Sequence, residues 1–494
     1  MDQHKTSGLS RQLTFTGLAA TGICSMLGAS IYVVPFMIQR NIPGIGPYVL
    51  QAFMMAAVPA ILAAFAYAIL ASAMPRAGGS YVYASRGISP YLGFIASFSQ
   101  WFGLSIAIGV VSYVIIPFLR DIALAMEWNQ MAAMVSQGSV RVCLSLMILW
   151  FFVWINIRGA AWYERTLIPL MVMMFALGSV VIVTGLTTDP GAFAIDLMQN
   201  KQREIPQTVA HFDPWIFLSA ASVLFSSFIG FDSIAQAGGE AKNPGRNLPL
   251  AIAMAVVVVG TFYMIFTFAV YRVVPWQFVA SEAAHTDVTA PGLMSRILSP
   301  GWTVCIIAGA AVALTNDLPA MLLSVSRLMF AWAGDGIFPK SVTRIHPTFN
   351  TPQVAILISG TMASIGILGS HFAGDFFLGI DILVTSMLVN FLVMCLAVAT
   401  LPTHNPALAS QVKVVRNRNV QWLISVAGVL VLSAFLIIHI VKDFSADVPA
   451  WYYHSTAVWL IVMLIGSLIY FREVRRLRAK GEDLKSLFSN LPPE

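Results

Sequence analysis

The chain is 494 residues long, 58% hydrophobic and only 10% charged, with a mean hydropathy of +0.79. A soluble protein needs about 25% charged residues to cover its surface, so the composition excludes a water-soluble domain and defines a polytopic membrane protein. The net charge of +6 is a topology signal, since its Lys and Arg are spread unevenly among the segments between apolar runs; a nucleic-acid partner is not implied.

Runs long enough to cross about 30 Å of hydrocarbon fall at residues 12–38, 46–73, 91–119, 140–157, 163–186, 214–236, 249–274, 300–332, 352–371, 376–401, 421–441 and 452–471. They predict an all-α chain of about twelve transmembrane helices, spans 1 to 12. With both termini cytoplasmic, twenty of the 28 Lys and Arg lie in inside segments and eight in outside ones, which sets the orientation.

Span 1 contains Gly22 to Pro35, GICSMLGASIYVVP. Gly28, Ala29 and Ser30 stand side by side where a membrane helix ordinarily carries Leu, Ile or Phe, so the helix is weak there and its backbone open to close approach. Unpaired backbone groups at membrane depth are tolerated only against protein or around a ligand. Between spans 2 and 3, Pro75 to Tyr83 leaves the helix at a proline and passes through Gly78-Gly79, either a plain turn or a re-entrant loop near a pathway. Span 3 carries Gln100, Trp101, Ser105, Ser112 and Tyr113, groups that line a cavity or simply pack. A short connection, Asn156 to Gly159, joins spans 4 and 5, and the longest outside excursion follows. Span 6 has a second interruption, Ser226-Ser227-Phe228-Ile229-Gly230-Phe231-Asp232, roughly 200 residues after the first. Two interrupted segments in matching places of two halves point to the binding site of a transporter. Span 8 holds Asn316, Asp317 and Pro319 within apolar sequence. Spans 11 and 12 read as peripheral, and the basic tail after them as a cytoplasmic helix.

The four cysteines, Cys24, Cys143, Cys305 and Cys395, show no metal-type spacing. The histidines are scattered without a pair at ligand spacing, so no metal, no cofactor and no enzymatic centre is predicted. The polar N-terminus leads into an apolar run too long for a cleavable signal, and nothing in the chain specifies an oligomeric state.

Four segments in register resemble the amino acid–polyamine–organocation (APC) superfamily, amino acid permease type. They are Gly28-Ala29-Ser30-Ile31-Tyr32 with Pro35; Pro75 through Tyr83, with its GGSYVY run; Ile229-Gly230-Phe231-Asp232 with Glu240 through Pro249; and Ser326-Arg327 through Lys340. The resemblance implies a LeuT-like 5+5 inverted repeat with helices 1 and 6 broken. On that plan 1–11 is a cytoplasmic N-terminal arm, 12–186 the first repeat, 187–213 an external loop, 214–401 the second repeat, 402–471 helices 11 and 12, and 472–494 a basic cytoplasmic tail.

It also implies substrate held between the breaks. Freed N–H groups at a half-helix start suit a carboxylate, and freed carbonyls at a half-helix end suit an ammonium. The expected substrate-binding residues are Cys24, Met26, Gly28, Ala29, Ser30, Trp101, Ser226, Ser227, Ile229, Gly230 and Phe231, with Phe231 either a gate or plain packing. Two departures stand out: Ser30 where the family commonly has Gly, and no lysine between Arg165 and Gly185, which excludes a proton mechanism that uses a helix 5 lysine.

Ionisable residues inside membrane helices are costly and mark function by default. Asp317 is the leading candidate for ion coupling, with Asn316 beside it and Asp232 after the second break; the plain alternative for each acid is a helix cap. Asp381 ranks below them. With no basic side chain at mid-membrane to balance these acids, a neutral or cationic amino acid or an amine is favoured over an acidic one. The expectation is therefore a secondary transporter of the plasma (bacterial inner) membrane, working by alternating access with protons, or else sodium, as coupling ion. An obligate exchanger and a transport-inactive sensor are the alternatives.

Overall fold

The computed structural model describes residue 9 and residues 11–201, 209–295, 297–298, 300–373 and 376–492. Twelve helices, α1 to α12, follow the predicted spans in order: α1 (Phe15–Met26 continued by Val34–Asn41), α2 (Val49–Ala73), α3 (Pro90–Ala125), α4 (Gly138–Ile157), α5 (Ala160–Thr187), α6 (Pro214–Leu224 continued by Asp232–Gln236), α7 (Pro244–Val273), α8 (Pro300–Gly334), α9 (Gln353–Ala373), α10 (Phe376–His404), α11 (Arg418–Ser445) and α12 (Ser455–Ala479). Among the described residues no strand forms; Leu13 with Ala241 and Ala77 with Ala237 make isolated bridges. Eleven of the spans are long and apolar enough to cross a membrane, counting α6 with its break, and the protein is an integral membrane protein. The exception is α1, whose first half has 12 residues.

Helix starts follow local chemistry. Thr14 Oγ1 caps α1 by accepting from Gly17 N at 3.0 Å, and Asp213 caps α6 by accepting from Trp215 N at 2.7 Å, ahead of a proline at the first helical position. α3 runs six residues past its predicted end at 119. The charges that ended the prediction, Arg120 and Asp121, pair with each other at 2.7 Å and let the helix continue.

The packing repeats itself when each of helices 1–5 is exchanged with the one five places on, 1 with 6 through 5 with 10. α3 packs on α10 and α8 on α5; α3 packs on α9 and α8 on α4; α1 packs on α7 and α6 on α2. α3 and α8 also pack on one another at the centre of the bundle, as do α2 and α7. α11 and α12 lie outside these pairs, α11 against α10 and α2, α12 against α10 and α3.

The described residues nearest both ends, Leu13 beside Ala241 and Asn490 to Pro492 against Arg86 and Arg76, lie on one face of the bundle, here called the terminal face, and that face is tightly packed. Gly78, left-handed at φ +74°, and Gly79 open the short helix Gly79–Gly87. A Cβ on Gly78 would overlap that of Ala331 in α8, and one on Gly79 would meet the Ala235 carbonyl in α6 at 2.7 Å. The paired glycines are thus a packing contact between three elements, a role the sequence left open. Beside them two ion pairs are buried: Arg327 Nε to Glu240 at 2.6 Å, and Arg86 to both oxygens of Asp335 at 2.5 and 3.0 Å. The tail closes over the second pair. A short helix, Leu484–Ser489, brings Phe488 under the Arg86 guanidinium, whose Nε donates to the Asn490 carbonyl at 3.0 Å.

Candidate functional site

The two breaks meet backbone to backbone. Leu27 and Gly28 interrupt α1, and a short helical turn, Ala29–Tyr32, leads past Val33 into its second half; α6 passes through a tight turn at Phe225–Phe228 and then Gly230, at φ +135°. A Cβ on Gly230 would run into the Ser25 carbonyl and Met26 nitrogen, so only glycine permits this approach. Ser25 Oγ and Ser233 Oγ lie 3.1 Å apart across the junction. The Met26 carbonyl, freed by the break, accepts from the Tyr263 hydroxyl at 2.5 Å.

α8 supplies the charge. Asp317, 5% exposed, lies directly against Gly28, where a Cβ would overlap its carboxylate. Asn316, one residue earlier, donates to Cys24 Sγ at 2.8 Å. α8 therefore addresses α1 at its interruption and one turn before it.

A cavity of about 40 Å³ sits at this junction. Ser25, Val34, Ser226, Ile229, Asp317 and Met321 form one side; Ala107, Val110 and Val111 of α3 with Gly379, Ile380 and Leu383 of α10 form the other. Asp317 is the one ionisable side chain among the described lining residues. The Ser226 hydroxyl, which also lines the cavity, has no hydrogen-bond partner among the described residues. One water needs about 10–15 Å³ of such space, so the cavity is too small for an amino acid.

Asp232 has a different setting. It is fully buried, accepts from Gly230 N at 3.1 Å, and accepts from Gln100 Nε2 as well. Gln236 Nε2 donates to Ser80 Oγ at 2.6 Å, that hydroxyl contacts the Tyr67 hydroxyl at 2.6 Å, and Asn390 donates to Tyr67 at 2.6 Å. The network knits α6, α3, the Gly79–Gly87 helix, α2 and α10 on the terminal side of the cavity.

The predicted residues thus separate into groups. Ser226, Ile229 and Asp317 line the cavity; Gly28 lies against Asp317, and Gly230, Met26, Cys24 and Asn316 build the backbone junction. Ser227 is fully buried but does not line the cavity. Trp101 stacks on Phe98 at 5.4 Å and meets Trp332 at 6.1 Å, away from the breaks. Phe231 stacks on Phe391 at 5.0 Å and meets Tyr67 edge-on. The side chains of Ala29 and Ser30 lie outside the described residues. Asp381 is held by Lys442 at 3.2 Å near the opposite face. Sequence reasoning missed Met321 and the apolar wall from α3 and α10. Its only signal was spacing: Met321 is four residues, about one turn, beyond Asp317.

A bundle with two discontinuous helices meeting over a closed cavity that holds one carboxylate has the architecture of a membrane transporter. The chain belongs to the amino acid permease family, whose model matches residues 13–471. It is 25% identical over 490 residues to a methylthioribose transporter of Bacillus subtilis, covering 96% of this chain and 95% of that one. It is 28% identical to cationic amino acid transporter 4 of Mus musculus, covering 82% of this chain and 62% of that protein. It is 26% identical to the branched-chain amino acid permease BcaP of B. subtilis, covering 74% and 76%. Family and relatives are transporters of small molecules, not enzymes.

Proposed function

We propose that this permease moves neutral or cationic amino acids, or related amines, by alternating access in the plasma membrane, with both termini cytoplasmic and proton binding at Asp317 coupled to transport. The observation that carries the reading is the Asp317 carboxylate against Gly28 at the α1 break, lining the cavity between the two interrupted helices. A charged carboxylate inside a membrane bundle is costly and marks function by default. In this reading a proton or a substrate ammonium arrives at Asp317 and closure is linked to its arrival. An acidic substrate would add a second negative charge without a partner and is disfavoured. The apolar wall of Val110, Val111, Met321, Ile380 and Leu383 suits an aliphatic portion of the substrate.

Two five-helix units, 12–186 and 214–401, work against each other in this reading, supported by the recurrence of the packing with a shift of five. The basic residues of the connections, denser on the terminal face, support its assignment to the cytoplasm. Two of the relatives carry amino acids by name and one carries methylthioribose, so the substrate panel needs both classes.

The test is uptake into proteoliposomes of labelled neutral, basic and acidic amino acids, amines and methylthioribose, with and without an inward proton gradient, for the native protein and Asp317→Asn. Gradient-driven accumulation of neutral or basic substrates that is lost in the variant is the expected result. Movement only into preloaded vesicles would make the protein an exchanger, and uptake of acidic substrates alone would overturn the assignment.

A further inference from the structure

Away from the site, α2 and α7 enclose an apolar groove of about 520 Å³, walled by Ile61, Ala64, Phe65, Val256, Val257 and Gly260. At the terminal face the groove ends at Pro249 and Val414, next to a second, polar cleft of about 1060 Å³. That cleft is lined by Ser72 in the last turn of α2 and Pro75 just after it, Pro244 to Arg246 at the start of α7, and Ser410 to Lys413 before α11. Four cations line it, Arg11, Arg246, Lys413 and Arg416, and its described lining holds no Asp or Glu.

Two further details favour an anion. α7 begins in the cleft without a side-chain cap from Asn243, so the positive end of a 30-residue helix faces it. The Lys413 ammonium stands over that end, 3.2 Å from where a Gly245 Cβ would be, while Lys413 N is fixed by Ser72 Oγ at 3.1 Å. A basic cleft at the terminal face, next to a chain-sized apolar groove between two membrane helices, matches the two parts of one ligand.

We propose that this composite is a binding site for an anionic glycerophospholipid of the leaflet on the terminal face, its phosphate in the basic cleft and an acyl chain between α2 and α7. The position gives the lipid access to the transport machinery. Phe228, in the turn of the α6 break, lines the groove, while Ser226 and Ile229 on either side of it line the central cavity. A chain seated in the groove buttresses the α6 break from the side opposite the cavity.

The measurement is thermal unfolding of the purified full chain in neutral detergent, with phosphatidylglycerol, with phosphatidylcholine of the same chains, or with glycerol phosphate. Alongside the native protein run a triple variant, R246Q/K413Q/R416Q, and Gly260→Leu. The three cations are exposed and the Gly260 position is open, with only Phe228 at 3.5 Å from a built Cβ, so both variants are expected to fold. Phosphatidylglycerol is expected to raise the native midpoint well above phosphatidylcholine, and glycerol phosphate to leave it unchanged. The triple variant loses the preference for the anionic lipid, and Gly260→Leu responds weakly to both lipids. Equal stabilisation by the two lipids, an unaltered preference in the triple variant, or a full response to glycerol phosphate would each overturn the proposal. The readout needs no transport, so it stands or falls apart from the substrate assignment.

Discussion

Single atoms decide the junction. Gly230 combines a left-handed backbone with contact on the Ser25 carbonyl, so Gly230→Ala meets both strain and overlap. A side chain in such a conformation costs about 1–3 kcal/mol, and the overlap adds to it; a lower unfolding midpoint and loss of transport together are expected. Gln100→Ala tests the other acid. It removes the side-chain donor to Asp232 while the carboxylate stays buried, which costs about 1–3 kcal/mol. The expected outcome is a lower unfolding midpoint, with Gln100→Glu worse because it sets two acids together. An unchanged midpoint in Gln100→Ala would mean that Asp232 is satisfied without the α3 glutamine.

Between elements, the terminal face is locked by charge in a low-dielectric setting. Arg327 and Glu240 are 2% and 4% exposed, and removing one member of such a pair strands the other at a cost of about 3–5 kcal/mol. Glu240→Ala is therefore expected to be poorly stable. The double replacement Glu240→Leu with Arg327→Met is expected to recover most of the loss, because apolar residues of similar size need no partner. A double variant as unstable as the single one would show that the pair does more than balance charge. The same elements show what a sequence discloses. Span positions follow from hydropathy alone, and both breaks from small residues at membrane depth. Rotation about a helix axis does not: at 100° per residue, Trp101 and Val110 point to opposite sides of α3, so choosing Trp101 for its chemistry missed the cavity face. Asp317 was legible because a carboxylate in a membrane helix demands a reason. Its contact with Gly28 depends on how α8 is set against α1, and no local pattern encodes that register.

At the scale of the molecule, a closed cavity between two broken helices has to open, and the seals define how. Opening at the terminal face must separate the first half of α1 from α8, breaking the Asn316 contact to Cys24 and wetting that thiol. Cys24 and Cys395 are buried, whereas Cys143 and Cys305 are exposed, so a C143S/C305S/C395S background leaves one buried reporter. Modification of Cys24 by a membrane-impermeant thiol reagent is expected to be slow from the terminal face and slower still from the opposite one. Adding Glu240→Leu with Arg327→Met removes the charge lock without stranding a charge, and modification from the terminal face should then accelerate about ten-fold for each 1.4 kcal/mol by which the closed form loses its advantage. Equal rates with and without the lock, or faster modification from the opposite face, would mean that the buried pairs brace the fold and that opening proceeds elsewhere.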